Sequence, residues 1–114
     1  MNFTYLSEFE KDLKRLLKRY ISLNEDLIKI KLILEVYPNA RPPFSFLIYN
    51  KSNTVSIIKI KKIACLSLRG KGVNTGLRMI YNLNQESNTI ELIELYHKNE
   101  KAIEDQKRFL YLIK

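Results

Sequence analysis

The sequence has little of several residue types, and each shortage excludes a class of protein. One cysteine and one histidine rule out a Cys/His zinc site and an internal disulfide. Three glycines and three prolines exclude collagen-like and low-complexity chains. No run of about 18 apolar residues is present, and the N-terminus lacks the basic start and apolar stretch of a secretory signal. We therefore expect one cytoplasmic domain, residues 1–114, with no membrane contact and no metal or cofactor.

Acidic residues are missing from the middle of the chain. No Asp or Glu lies between Glu35 and Glu86, and this window holds eight Lys or Arg residues. The window carries the whole net charge of +8, because the rest of the chain has 12 basic and 12 acidic residues. Such a local positive field attracts RNA, DNA or an acidic protein. A solvated lysine-rich surface is the alternative, although the lysines of both flanks are interleaved with Glu.

The hydrophobic pattern of the first half predicts a strand and a helical hairpin. A β-prone run covers residues 2–6. Two amphipathic helices follow, over residues 8–20 and 22–37, and each begins with a Ser-x-x-Glu capping box. Pro38 ends the second helix, because the residue before proline disfavours the helical region. Residues 38–54 indicate a loop, in which the apolar patch 44–49 adds a short edge strand.

The second half predicts an antiparallel meander and a terminal helix. The predicted elements are strands over 55–68, 77–84 and 89–97, a glycine loop over 69–76 and a helix over 100–113. We expect the N-terminal strand to join this meander, because a lone strand needs partners. The fold is then α+β, in the order β-α-α-β-β-β-α. The helical hairpin covers one face of a twisted antiparallel sheet, and the other face stays partly open.

Standard catalytic motifs are absent. The loop RGKGVNTG lacks the Lys-Ser/Thr ending of a phosphate-binding loop and precedes a strand rather than a helix. Glu91 and Glu94 are expected to point to opposite faces of a strand, which argues against a two-carboxylate hydrolase. Cys65 lies within an apolar run, so we expect a buried thiol rather than a nucleophile.

What remains is a set of cations that converge on the sheet. Lys59 and Lys61 share one strand face, and Lys62 points to the other face unless a bulge intervenes. Arg69 and Lys71 lie in the glycine loop. This arrangement favours binding of a polyanion.

Arg78 is the only charge in the apolar strand LRMIY. A lone arginine on a sheet face is costly unless it forms an ion pair, here with Glu91 or Glu94, extends over the sheet edge so that its head reaches water, or binds a phosphate. His97, with Lys98, follows the third strand of the meander and is the side chain that titrates near neutrality. It is either a general acid or base, with Arg78 and Lys98 stabilising a phosphorane-like transition state, or a surface residue at a strand end.

Several segments, in this order and spacing, resemble the RelE/ParE superfamily of type II toxins, and more closely its HigB-like branch. The segments are the opening helix FEKDLKRLLKRY, the basic strand KIK, GLRMIY over residues 76–81 and LYHKNEK over residues 95–101. The last two resemble the family patterns Gly-x-Arg-Val-Ile-Tyr and Leu-Tyr-x-Lys-Asn-Glu-Lys. The resemblance covers most of the chain and implies two helices packed on a twisted antiparallel sheet.

The resemblance also implies a function. It implies a toxin that enters the ribosomal A site and cleaves translated mRNA, without a metal, by attack of the ribose 2′-OH on the adjacent phosphate. Arg78 matches the arginine that holds this phosphate, Lys98 matches a family lysine, and Tyr96 and His97 match a site for proton transfer. RNA and ribosome binding is assigned to six cations: Lys59, Lys61, Lys62, Arg69, Lys71 and Lys101. The expected partner is an acidic antitoxin.

Two departures from the family pattern affect the site. The loop before Arg78 is longer than in compact members, which is expected to hold Lys59 and Lys61 away from it. Glu104 and Asp105 are expected to shield part of the site. Two other functions stay open: a ParE-like gyrase inhibitor that cuts no RNA, and a non-catalytic basic RNA-binding module.

Overall fold

The computed structural model describes residues 1–113. Within that range the chain forms β1 (Asn2–Tyr5), α1 (Ser7–Leu17), α2 (Leu23–Val36), β2 (Ser45–Asn50), β3 (Val55–Ile60), β4 (Leu77–Asn84), β5 (Thr89–His97), a 3₁₀ turn (Gln106–Phe109) and α3 (Leu110–Ile113). The predicted α+β class is confirmed, with one strand more than the predicted order because the apolar patch of the proline-rich loop forms β2. None of these helices combines the length and the apolarity needed to cross a bilayer.

The strands form one five-stranded sheet in the order β1-β5-β4-β3-β2. Strands β2 to β5 pair antiparallel in sequence order, which confirms the meander. β1 joins its edge as predicted but runs parallel to β5, with Phe3 opposite Ile90. The sheet is therefore mixed rather than wholly antiparallel.

The two long helices cover one face of the sheet, as predicted. Their apolar stripes bury Phe9, Leu16, Leu27 and Leu34 in one core together with strand residues such as Met79. Burial of such side chains is the main favourable contribution to folding. The helical hairpin thereby fixes the position of β4 and β5, which bear the candidate site residues.

Neither helix uses its predicted capping box. Leu6 is the N-cap of α1, so Ser7 lies inside the helix and its hydroxyl donates to Glu8 (3.1 Å). Ser22 is the N-cap of α2, but its backbone is already helical (φ −81°, ψ −2°) and its hydroxyl donates to Asp26 (2.7 Å). An N-cap side chain normally reaches the free amides from an extended backbone, and neither serine has that conformation at the N-cap.

β3 is shorter than the strand predicted over residues 55–68. Its pairing with β4 ends at Ile60, after which the amide of Lys61 donates to the carbonyl of Phe44 (2.9 Å). Ile63 and Cys65 are buried in the helix-side core from an irregular backbone. Ile63 is the one β-branched residue of the run 61–68, so the β-prone composition that predicted the longer strand belongs mainly to residues 55–60. Cys65 is buried as expected, and this burial raises the pKa of its thiol.

The second face of the sheet is covered by the C-terminal segment, residues 98–109. The helix predicted over residues 100–113 is wrong before residue 106, because residues 98–105 have no regular structure. Phe109 packs with Ile57, Ile80 and Ile93 on this face. Four ion pairs tie the segment to the sheet and to α1 in place of helical packing: Arg15–Glu100, Glu94–Lys101, Lys59–Glu104 and Asp12–Arg108.

A β-bulge in β5 changes which side chains share a face. Ile93 is the extra residue of β5 where it pairs with β4. Glu91 and Glu94 lie on either side of it, and both bond to the end of the chain. Glu91 accepts from the hydroxyl of Tyr111, and Glu94 accepts from the amide of Asp105 (2.8 Å). The prediction that these carboxylates point to opposite faces is wrong, because strict alternation stops at the bulge.

Candidate functional site

Four cationic side chains converge on one cleft where β4 begins and β5 ends. The cleft, of about 340 Å³, is lined by Pro43, Phe46, Lys61, Lys62, Asn74, Gly76, Arg78 and Lys98, and we call it the cation cleft. Its lining has no carboxylate, and within residues 1–113 none of its four cations forms an ion pair. Residues 1–113 contain no group of three or more His, Cys, Asp and Glu side chains that could hold a metal ion. The cleft is therefore suited to an anion.

Arg78 is held by backbone carbonyls rather than by a carboxylate. Its Nη1 atom donates to the carbonyl oxygens of Lys61 (3.1 Å) and Leu77 (3.2 Å). The alternative of an ion pair with Glu91 or Glu94 is wrong, because both carboxylates bond to the end of the chain. A guanidinium has more N–H donors than these two bonds use. Arg78 is thus fixed in place and still able to bind a phosphate.

The end of β3 brings Lys61 and Lys62 to the same cleft. The Nζ atom of Lys61 lies 4.9 Å from the ring centroid of Phe46, and that of Lys62 donates to Asn74 Oδ1 (2.7 Å). The prediction that Lys62 faces the other way is wrong, because side-chain alternation stops where the strand stops. The expected separation of Lys61 from Arg78 is also wrong, since the two residues are joined by a hydrogen bond.

Gly76 allows two segments to meet at the mouth of the cleft. Its φ of +88° lies in the left-handed region that favours glycine. Its carbonyl accepts a hydrogen bond from the amide of Lys98 (2.8 Å). A Cβ atom at this position would lie 2.6 Å from His97 Nε2 and 3.3 Å from Lys98 Cγ. Glycine is therefore needed both for the backbone and for the placement of these two side chains.

Both imidazole nitrogens of His97 bond to the backbone. Nδ1 accepts from the amide of Asn99 (3.0 Å), and Nε2 lies 2.9 Å from the carbonyl oxygen of Thr75. A carbonyl cannot donate, so these partners assign Nε2 as the donor and Nδ1 as the acceptor. The ring also stacks on Tyr20, with centroids 6.1 Å apart. His97 joins the glycine loop to the chain after β5, and neither nitrogen is free in this arrangement.

Three predicted site residues do not line the cleft: Lys59 and Tyr96 lie under the C-terminal segment, and Lys101 is part of that segment. Lys59 Nζ binds Glu104 (2.9 Å), and Lys101 binds the buried Glu94. Burial is the largest single effect and lowers the pKa of Lys59, but the hydrogen bond to Glu104 and the neighbouring Tyr96 hydroxyl and Glu104 charge together outweigh it, and the pKa is raised. Tyr96 is 1% exposed, and burial raises the pKa of its hydroxyl. The segment thus shields this part of the predicted site.

The glycine loop does not bring its two cations to the cleft. Lys71 lines a neighbouring groove beside the end of α1, and Arg69 lines a separate cavity next to Cys65. Both side chains are exposed. The predicted cations are therefore spread over several surfaces, and four of them line the cation cleft.

Sequence reasoning missed Asn74 and Phe46. Asn74 binds Lys62 and lines both the cleft and the neighbouring groove. Phe46 supports the ammonium of Lys61 from the adjacent strand β2. The signal for Asn74 is an amide side chain within the glycine loop. The signal for Phe46 is an aromatic residue on an edge strand beside a lysine-rich strand.

Replacing Gly76 with alanine should lower stability and disorganise the cleft. The left-handed backbone and the contact with the bonded His97 ring together should cost about 1–3 kcal/mol of unfolding free energy. Urea unfolding of Gly70→Ala provides the matched control, because Gly70 has a similar φ of +83° but nothing within 4 Å of the added Cβ. Equal losses in the two variants would show that the contact with His97 has no energetic weight.

The comparisons with known proteins agree with this architecture. No protein-family model matches the sequence, and a search of the curated proteins finds no significant match. Among solved structures, a chain of the archaeal RelE–RelB complex from Pyrococcus horikoshii OT3 is similar with a TM-score of 0.61 and 16% identity, covering 88% of this chain and 97% of that chain. The conserved hypothetical protein HP0892 from Helicobacter pylori is similar with a TM-score of 0.56, 20% identity and the same coverage. The chain therefore has a RelE-like fold.

Proposed function

We propose that this chain is the toxin of a type II toxin–antitoxin module and that it cleaves translated mRNA on the ribosome. The observation that supports this is the cation cleft: its four cations form no ion pair within residues 1–113, its lining has no carboxylate, and it lies on a RelE-like fold. Such a lining suits the phosphates of a nucleic acid. The proposal includes membership of the HigB-like branch, one toxin domain over residues 1–114 and a place in the cytoplasm, where ribosomes work.

In the proposed reaction the RNA supplies its own nucleophile. The ribose 2′-OH loses its proton and attacks the adjacent phosphorus, and the 5′ oxygen of the next nucleotide leaves and takes up a proton. The products are a 2′,3′-cyclic phosphate and a free 5′-OH. Arg78 and Lys98 bind the phosphate oxygens as negative charge grows on them, and Lys61 and Lys62 hold the strand. Catalysis then rests on positioning and on electrostatic stabilisation.

His97 and Tyr96 receive different roles in this proposal. The imidazole of His97 is bonded at both nitrogens, and the amide of the next residue, Lys98, bonds to Gly76. We therefore assign His97 to the positioning of Lys98. Tyr96 is buried beneath the C-terminal segment, so it supports the sheet near Arg78, its neighbour across the strands.

The expected partner is an acidic antitoxin. Its carboxylates would neutralise the excess charge of the segment between Glu35 and Glu86, which contains three of the four cleft cations. An acidic chain on the cation cleft would block the RNA by occupying the same donors. The partner is thereby expected to compete with RNA and to release the protein at high salt.

Primer extension on a reporter mRNA in a cell-free translation system tests the proposed function. We expect discrete new 5′ ends when the protein is added to translating ribosomes, and none in a parallel reaction without ribosomes. Intact mRNA in both reactions would overturn the proposal. A supercoiling assay would then test gyrase inhibition, and RNA binding without toxicity would indicate a non-catalytic module.

Lys61 and Lys59 should respond differently to neutralisation. Lys61→Gln should weaken binding to single-stranded RNA and reduce the slope of log affinity against log salt by about 0.7, the value for one phosphate contact. Lys59→Gln should keep the slope and lower the unfolding free energy by about 1–3 kcal/mol, because Glu104 loses its partner. Salt titrations and urea unfolding of both variants measure this, and equal salt slopes would contradict it.

A further inference from the structure

A second basic surface lies on the other side of Lys98. It is a groove of about 650 Å³ between the end of α1, the glycine loop and the chain after β5, and we call it the flanking groove. Its lining is formed by Arg15, Leu16, Arg19, Tyr20, Ser67, Leu68, Lys71, Asn74, Thr75, His97, Lys98, Asn99 and Glu100. It is the larger of the two surfaces, and the proposed reaction uses none of its cations except Lys98.

The charges of the flanking groove are mostly unneutralised. Glu100 is its one carboxylate, and Arg15 binds it. Arg19, Lys71 and Lys98 form no ion pair within residues 1–113. Arg19 and Lys71 are both exposed. The groove therefore offers three cations to an anionic ligand.

The flanking groove is continuous with the cation cleft. Lys98 and Asn74 line both, and the side chain of Asn74 accepts a hydrogen bond from Lys62 of the cleft (2.7 Å). The cations thus follow one another along a track from Arg78, past Lys98, to Arg19. A flexible chain with regularly spaced negative charges can follow such a track, whereas a single phosphate cannot.

We propose that the flanking groove binds the sugar-phosphate backbone of single-stranded RNA next to the nucleotides held in the cation cleft. The proposal rests on the proposed function, because it extends the strand that the cleft would hold. Arg19 and Lys71 contact phosphates, and the side-chain NH2 groups of Asn74 and Asn99 donate to the sugars and bases. A positive groove that follows the backbone is the usual means of binding a single strand.

The chemistry of the lining favours RNA over an acidic protein helix. Leu16 and Leu68 are the aliphatic residues of the lining, and the others are aromatic, polar or charged. A docked amphipathic helix needs an apolar groove for its anchors. The flanking groove lacks one, but it has the cations and amides that a sugar-phosphate chain requires.

The length dependence of RNA binding tests this proposal. Oligonucleotides of two, four and six nucleotides, 2′-O-methylated so that the attacking hydroxyl is blocked, are titrated with the full chain by fluorescence anisotropy. The variants are Arg19→Gln, Lys71→Gln and their combination, with Lys14→Gln as the matched control because Lys14 is an exposed cation of α1 outside both surfaces. Thermal unfolding of each variant verifies that it is folded.

We expect the wild-type protein to gain about tenfold or more in affinity between two and six nucleotides, since a phosphate contact is charge-assisted. The double variant should lose most of that gain while keeping the wild-type affinity for the dinucleotide, and Lys14→Gln should keep both. A double variant with an undiminished gain would overturn the proposal. So would a double variant that binds all three oligonucleotides like the wild type and binds only an acidic peptide, titrated in parallel, more weakly.

Failure of the proposed function has a different signature. In that case wild-type protein leaves mRNA intact in the translating extract, yet the gain with oligonucleotide length and its loss in the double variant persist. Cleavage in the extract together with a length-independent affinity would retain the proposed function and overturn only the flanking groove.

Discussion

Replacing Arg78 with alanine should reduce ribosome-dependent cleavage by about a hundredfold or more, the loss observed when one donor to a developing oxyanion is removed. Arg78 is the cleft cation with a fixed guanidinium, held by the carbonyls of Lys61 and Leu77. Its remaining donors can bind two phosphate oxygens at once, which a lysine cannot do. The rate of appearance of new 5′ ends in the primer-extension assay measures the effect.

Two further variants separate chemistry from folding. Arg78→Lys keeps the charge and part of the packing, so it should be folded and still cleave far more slowly than the wild type. Arg41→Ala removes an exposed arginine of the same acid-free window, whose guanidinium lies 3.9 Å from the ring centroid of Tyr37 and outside the cleft. It should cleave normally. Undiminished cleavage by Arg78→Lys and Arg78→Ala would remove the phosphate-binding role from Arg78.

The parts of the fold that follow local patterns could be predicted from the sequence. β4 and β5 have their predicted bounds, because each is an apolar run between a glycine loop or polar turn and a polar end. The helices follow from their apolar stripes. The run over residues 61–68 continues β3 with apolar residues but with one β-branched residue, Ile63, and no strand pairs with it once β3 parts from β4 after Ile60. Whether such a run becomes a strand depends on a partner far away in the sequence.

In the candidate site too, local patterns predicted some features, and the others depend on residues far away in the sequence. The acid-free window correctly indicated a positive surface, and Lys61, Lys62 and Arg78 of the cleft all come from it. Lys59 has the same residue type in the same strand run, yet it is bound by Glu104, 45 positions further along the chain. Lys59 differs from Lys61 and Lys62 because the irregular C-terminal segment brings Glu104 next to it. No local sequence pattern encodes the course of that segment.

Asp12 is the residue whose importance the sequence reasoning overlooked. It lies in the apolar stripe of α1, between Phe9 and Leu16, where a carboxylate requires a partner, and it is 6% exposed. Its oxygens accept from both terminal nitrogens of Arg108, with Nη2–Oδ1 at 3.2 Å, and from the amide of Leu95 (3.0 Å). One side chain thus joins α1, the strand after the bulge and the C-terminal segment.

Asp12→Asn should be the most destabilising of these substitutions. It keeps the size of the side chain but leaves the charge of Arg108, which is 15% exposed, with only the longer contact to Asp105 (3.8 Å). Breaking a buried pair in this way costs about 3–5 kcal/mol, a large part of the total for a domain of this size. Urea unfolding measures the loss, and Glu10→Asn, on the exposed face of α1, is the control.

A double-mutant cycle with Arg108→Gln identifies the origin of that loss. If the ion pair is the cause, the double variant should be more stable than the sum of the single losses implies, by about 0.5–3 kcal/mol. The removal of both charges leaves neither group without its close partner, whereas each single variant leaves one charge with only an ionic contact at 3.8 Å, to Arg15 for Asp12 or to Asp105 for Arg108. Strictly additive losses would instead show that the ion pair between Asp12 and Arg108 has no energetic weight.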